Sequence, residues 1–284
     1  MTILLYVLVI VFIIAFPAET ADTAWQALMI WSTGIVPFLF PYMVFSRLLC
    51  TSLHAFRLPA FPVIAVLGML GGSPNGAALI TANAQFLSER SLFTLCALTG
   101  TISPMFILGS VQKWIAPSSI SGYLLFCHWL SAVLCAWTVW LVYRGRQEAI
   151  PLKPEENKTK SADPLTQSID AIFHIGGYII VYSVLAGMLG KILHAFPAVL
   201  PLSHAIFEIS GGVHAISQSL FSDQAKHILI SSALGFSGFS ILSQNHTMLR
   251  PPGIPMRKLF LFAVLRAAIS ALIMACMTAW LPIS

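Results

Sequence analysis

Apolar runs of membrane-spanning length recur along the chain, separated by short polar stretches. Residues 3–16 are wholly apolar and end at Pro17. The run is short for a span, and a secretory leader is the alternative. With no basic leading stretch and no small-x-small cleavage pattern, it reads as a retained first helix. Residues 23–49 form a second span, interrupted by Pro37 and Pro41. Residues 60–87 are apolar but broken at Gly71-Gly72-Ser73-Pro74-Asn75-Gly76. Residues 91–112 are broken at Thr99-Gly100-Thr101-Ile102-Ser103-Pro104, and 119–143 make an uninterrupted span. Apolar sequence resumes at 169–190, breaks within 202–221 at Ser210-Gly211-Gly212 and within 226–249 at Gly235-Phe236-Ser237-Gly238, and closes with 258–281.

The order span, interrupted segment, interrupted segment, span therefore occurs twice. Gly71 and Gly211 are 140 positions apart, Gly100 and Gly235 are 135 apart, and Ser121 and Arg257 are 136 apart. An internal duplication is the simplest account. Each arm of the first interrupted segment, 60–70 and 77–87, reaches about 16 Å as helix at roughly 1.5 Å per residue. That is about half of a hydrocarbon core roughly 30 Å thick. The segment thus predicts a hairpin that enters and leaves on one side, with the turn near mid-membrane; a single kinked span is the alternative. The duplication extends the same reading to 202–221.

Basic residues set the orientation. With the N-terminus cytoplasmic, eleven Lys and Arg fall inside and three, Lys113, Lys191 and Lys226, outside, with Arg266 within the membrane. The prediction is seven crossings, two re-entrant hairpins and an outside C-terminus. Three crossings per half make the halves inverted. The expected organisation is an N-terminal helix and outer loop (1–22), a first repeat (23–143), a charged cytoplasmic linker (144–168) and a second, inverted repeat (169–284).

Composition agrees. Of 284 residues 57% are hydrophobic and 9% charged, against roughly 25% charged in soluble domains, and the mean hydropathy is +0.85. A soluble enzyme, a disordered tail and a disulfide-stapled module are excluded, and continuous rather than alternating apolar stretches exclude a β-barrel. The net charge of +5 sits in short loops and asks for no nucleic acid. The expected partners are the bilayer and a small-molecule substrate, with homo-oligomerisation left open. Five cysteines in or beside apolar runs and eight scattered histidines show no metal-ligand spacing. No cofactor or catalytic fingerprint is present, and Ser210 with His214 is the one tempting nucleophile–base pair. A tip between those two residues would destroy their helical spacing, so no enzyme is expected.

Inverted halves with hairpins and broken helices describe a secondary-transporter core. A helix broken in mid-membrane leaves backbone groups that lipid cannot serve, so four breaks are expected to share one polar cavity. Half-helix N-termini there suit an anion. The stretches Gly72-Ser73-Pro74-Asn75-Gly76-Ala77, Ser103-Pro104-Met105-Phe106-Ile107, Glu208-Ile209-Ser210-Gly211-Gly212 and Gly235-Phe236-Ser237-Gly238-Phe239-Ser240 resemble the nucleoside-recognition (Gate) domain proteins. More closely, the chain resembles the sporulation integral membrane proteins of the YlbJ type, over nearly its whole length. That resemblance implies a core similar to the concentrative nucleoside transporters and a link to spore formation. It also implies the movement of dipicolinate across the membrane around the forespore.

The expected function is transport of a small polar, anionic metabolite. A nucleoside-type transporter or a non-transporting scaffold of the spore or envelope is the alternative. The coupling ion, Na⁺ or H⁺, stays open. The candidate substrate site comprises Ser73, Pro74, Asn75 and Gly76 at the first tip and Ser103 and Pro104 at the first break. Glu208, Ser210, Gly211 and Gly212 stand at the second tip, and Ser237, Gly238, Ser240, Gln244 and Asn245 at and after the second break. Glu208 and Arg266, two charges inside apolar runs, are expected to form a buried pair.

Overall fold

The structure, a computed structural model, describes residues 2–55, 59–115, 117, 119–145 and 163–280. Arg57 and residues 146–162, most of the charged linker, lie outside the described residues. Within them the chain is an all-α polytopic membrane protein. Six stretches are long and apolar enough to cross a membrane: Pro17–Cys50, Glu89–Gly109, Ile120–Val142, Pro164–Ile192, Asp223–Met248 and Met256–Trp280.

The first stretch contains α2 (Pro17–Met29), a π-helical segment Ile30–Ile35 and α3 (Val36–Ala55), and it follows a short α1 (Thr2–Ala15). Two expectations change here. Residues 17–22 are not an outer loop: Pro17 takes the first helical position of α2, where its missing N–H costs nothing. At fourteen residues, α1 is not among the six span-length helices, one fewer than the seven crossings expected. It meets α2 at Phe16, and none of its described side chains is buried.

The rest follows the doubled order. A reversing pair, α4 (Ala60–Gly71) and α5 (Asn75–Ala82), precedes a broken pair, α6 (Glu89–Thr99) and α7 (Pro104–Gly109), and the long α8 (Ile120–Val142). After α9 (Pro164–Ile192) come α10 (Leu200–Phe207) and α11 (Ile209–Ser217), then α12 (Asp223–Phe236) and α13 (Gly238–Met248), then α14 (Met256–Trp280). Short polar side chains start several of these helices by accepting an otherwise orphaned N–H. Ser88 caps α6 through the N–H of Ser91, Ser222 caps α12 through that of Ala225, and Asp163 caps α9 through that of Leu165 at 2.7 Å.

Close packing depends on small residues. On α12, Gly235 lies so near α14 that an added Cβ would come within 2.8 Å of Ala267 Cα. One turn away the Ser231 and Ser270 hydroxyls are 2.8 Å apart. On α9, Gly176 receives the ring of Trp31, whose indole N–H donates to Ile172 O at 3.1 Å. One apolar cluster joins α4–α6 to Tyr143, Phe262 and Leu242, and a second joins α7 and α8 to α10–α12 and Met274. The third joins Ala27 and Met43 to α9. The first and second clusters thus each join residues from both ends of the chain, and the second includes Ile102 of the first break. Glu19 and Lys191 form an ion pair at 2.5 Å, Arg47 Nη1 donates to Gln167 at 3.1 Å, and Arg90 lies over the Trp140 ring.

Candidate functional site

The first reversal sits on the first break. After α4 the chain turns at Gly72, whose φ of +64° places it in the left-handed region that glycine tolerates without penalty. A Cβ there would collide with the backbone N of Ser103. Ser73 N–H donates to Thr101 O at 2.6 Å. The return helix α5 crosses α4 closely enough that a Cβ on Gly68 would stand 3.3 Å from Gly76 Cα. Ser103 caps α7 by accepting from Phe106 N–H at 3.3 Å. The N–H of Ile102, exposed by the break, donates to His128 Nε2 on α8 at 3.0 Å.

The second reversal is not where Ser210-Gly211-Gly212 suggested. The chain bends at Glu208, at φ −138° and ψ +121°, and all three of those residues lie in the opening turn of α11. Gly212 instead permits α11 to cross α10: a Cβ there would collide with the backbone of Ala205. Ser210 and His214 are consequently both on α11 with helical spacing intact. Ser210 is buried, while His214 is exposed with its ring against Trp114. The second break falls at Ser237 and Gly238, with φ +71° and +78°. It rests on the second reversal, since a Cβ on Gly238 would be 3.4 Å from Ala205 O, Phe207 O and Ile209 N.

These elements enclose one cavity of about 70 Å³. Of the expected site residues, Ser73, Ser103, Glu208, Ser210 and Gln244 line it. It therefore touches both reversals, the first break and the helix that follows the second. Asn245 joins the halves from just outside it, donating from Nδ2 to Ser73 Oγ at 2.9 Å. Asn75 is fully buried and takes a hydrogen bond from Ser46 at 3.3 Å. Asn75 Nδ2 and Asn245 Oδ1 have no partner among the described residues. Ser240 accepts from Gln244 at 3.2 Å, and Ser237 donates to Leu234 O at 3.0 Å. Pro74, Asn75, Gly76, Pro104, Gly211, Gly212, Ser237, Gly238, Ser240 and Asn245 do not line the cavity.

The expected pair of Glu208 and Arg266 is not formed. The Glu208 carboxylate caps its own helix, accepting from Gly211 N–H at 2.8 Å. Arg266 donates to three backbone carbonyls, Gly235 at 3.3 Å, Ala97 at 3.1 Å and Gly100 at 2.7 Å. Both side chains are buried, at 3% and 1% exposure, and each has its charge met by helix ends rather than by the other. Among the described residues, three or more His, Cys, Asp or Glu side chains nowhere come together as a metal site would need.

Much of the lining was not foreseen. Gly34, Ile35, Phe38, Leu39 and Tyr42 enter from the π-helical segment and α3, and Ile175 and Ile179 from α9. Tyr42 holds the end of α4, donating to Leu67 O at 2.7 Å. In sequence these are ordinary residues of apolar spans. A tyrosine inside a span, whose hydroxyl needs a partner, is the one signal that could have marked this wall.

The chain is similar to the sporulation integral membrane protein YlbJ of Bacillus subtilis (strain 168). The identity is 25%, over 95% of this chain and 80% of that protein. The YlbJ-type resemblance read from the motifs is thereby borne out over nearly the whole chain. No family model matches it, and no solved structure does.

Proposed function

We propose that the protein is a membrane transporter that takes a small polar metabolite between the two reversals and the breaks. One observation carries this reading: both reversals and the first break, distant in sequence, end at one cavity lined by Ser73, Ser103, Ser210, Gln244 and Glu208. Broken helices within a membrane are tolerated where they line such a space. We read the doubled element order as an inverted repeat with α4–α5 and α10–α11 as re-entrant hairpins, and the charged linker as cytoplasmic. By analogy with the sporulation membrane protein it resembles, the proposed setting is the inner membrane of a cell forming spores.

The solute implied by the resemblance is a carboxylate resembling dipicolinate. Serine and amide donors favour it, while the Glu208 carboxylate opposes it and, among the described residues, no Lys, Arg or His lines the cavity. A neutral, nucleoside-like solute meets no such opposition. The cavity volume of about 70 Å³ is far below the roughly 300 Å³ at which ligand pockets begin, so transport requires the hairpins to part. That small volume also favours the second reading, a scaffold that retained the fold. Uptake by proteoliposomes, with a panel of labelled dicarboxylates and nucleosides, separates them. Saturable uptake of one class, lost in Ser73→Leu, supports transport. Uptake no greater than in empty vesicles across the panel overturns it.

A further inference from the structure

Three carbonyl oxygens converge on one cation in the middle of the fold. Arg266 Nη2 is 2.7 Å from Gly100 O, Nη1 is 3.1 Å from Ala97 O, and Nε is 3.3 Å from Gly235 O. Each carbonyl belongs to the end of a helix that stops at a break: Ala97 and Gly100 end α6, and Gly235 ends α12. Carbonyls at a helix C-terminus have no partner within the helix, and each such end carries roughly −0.5 of an elementary charge. Two ends sum to roughly −1, the complement of one guanidinium.

Among the described residues, Arg266 forms no ion pair with a carboxylate. The ion pairs Glu19–Lys191 and Asp223–Lys226 lie elsewhere. Glycines make the geometry possible, because a Cβ at 100 would press within 3.2 Å of Nη1 and one at 235 would enter the α14 backbone.

We propose that the carbonyls of Ala97, Gly100 and Gly235 form a site for a monovalent cation. Its resident cation is the Arg266 side chain, which ties the two broken helices into one body. Neutral oxygens on two helix ends suit a single positive charge. Here the chain supplies that charge itself, so no exchangeable Na⁺ is held at this point.

The test is rescue of a side-chain deletion by the missing head group. Arg266→Ala, purified in detergent, is expected to melt on the order of 10 °C below the parent, since removing one side of a buried charge arrangement is costly in a chain of this size. Guanidinium, well below denaturing concentrations, should restore most of that loss saturably. Urea, its neutral isostere, should not, and neither should shift the parent. Equal effects of guanidinium and urea on the variant would overturn the proposal. Should the alanine variant not fold, Arg266→Lys and Arg266→Met decide. Lys keeps a cation and should give several-fold more monodisperse protein than Met, and equal yields from the two overturn the charge assignment.

Discussion

Two adjacent glycines on α11 should respond to the same substitution in opposite directions. Gly211→Ala and Gly212→Ala each exchange glycine for the best helix former, worth up to about 1 kcal/mol in a helix interior. At Gly211 the added methyl meets Glu208 Oε2 at 3.6 Å, an ordinary contact. The gain should be realised, and melting should rise by about 2–4 °C at the roughly 2–4 °C per kcal/mol of a chain this long. At Gly212 the methyl would occupy the space of Ala205 Cα, N and Cβ on α10. Overpacking costs about 1–3 kcal/mol, and a collision with backbone belongs at the upper end. The net is a loss of roughly 2 kcal/mol, or about 4–8 °C. Melting followed by size-exclusion recovery of a fluorescent fusion, in detergent, reads both. The comparison tests the position of the second reversal. Were the turn at Ser210–Gly212, both glycines would serve the bend and both substitutions would destabilise. Loss in both variants, or no loss at Gly212, refutes the placement at Glu208.

Glu208→Gln combined with Arg266→Met should cost the sum of the single changes to within about 0.5 kcal/mol, as for groups that share no partner; a double variant much milder than the sum would mean that the charges do interact. Ser73→Ala and Asn245→Leu, which remove the two ends of one partly buried hydrogen bond, should show a coupling of about 1 kcal/mol in a double-mutant cycle of melting data, and zero coupling would deny the link between the halves. The Asp163 carboxyl, held below its usual 3.8 by hydrogen bonds from Thr166 and Leu165, stabilises the start of α9 above that value and releases it as the pH falls through the lower folded one; α9 protection measured by hydrogen exchange should therefore drop in acid in the parent and change less in Asp163→Asn.

The breaks were legible because their chemistry is local. Ser103-Pro104 announces a cap followed by the first helical residue, and Ser237-Gly238 a left-handed step. The second reversal was misplaced because Gly211-Gly212 reads as a turn, whereas these glycines serve a helix crossing whose partner, Ala205, no local pattern identifies. Glu208 and Arg266 were visible as costly buried charges, but sequence suggests only other charges as their partners. The groups they use are a backbone N–H and three carbonyls, which every residue has. The wall from α3 and α9 was hidden by uniformity, since Ile175 and Ile179 look the same facing a cavity or a lipid. Pro17 could have been read better, as a proline that opens a helix rather than one that closes the preceding run.

The π-helical segment between α2 and α3 sets a phase. An α-helix turns about 100° per residue, and a π-helical turn takes in an additional residue without advancing the face correspondingly. Upstream of the segment, Thr23 packs against Gly187 of α9, and at its start Trp31 packs on Gly176. At its end and beyond, Gly34, Ile35, Phe38 and Tyr42 turn to the cavity. Were Ile30–Ile35 rewound as α-helix with every residue kept, one portion would rotate against the other by roughly 100°. The helix could then keep its seat on α9 or its face on the cavity, but not both. In this stretch the backbone hydrogen-bond pattern carries information that the residue identities do not, and one residue fewer would straighten the helix while leaving both faces where they are.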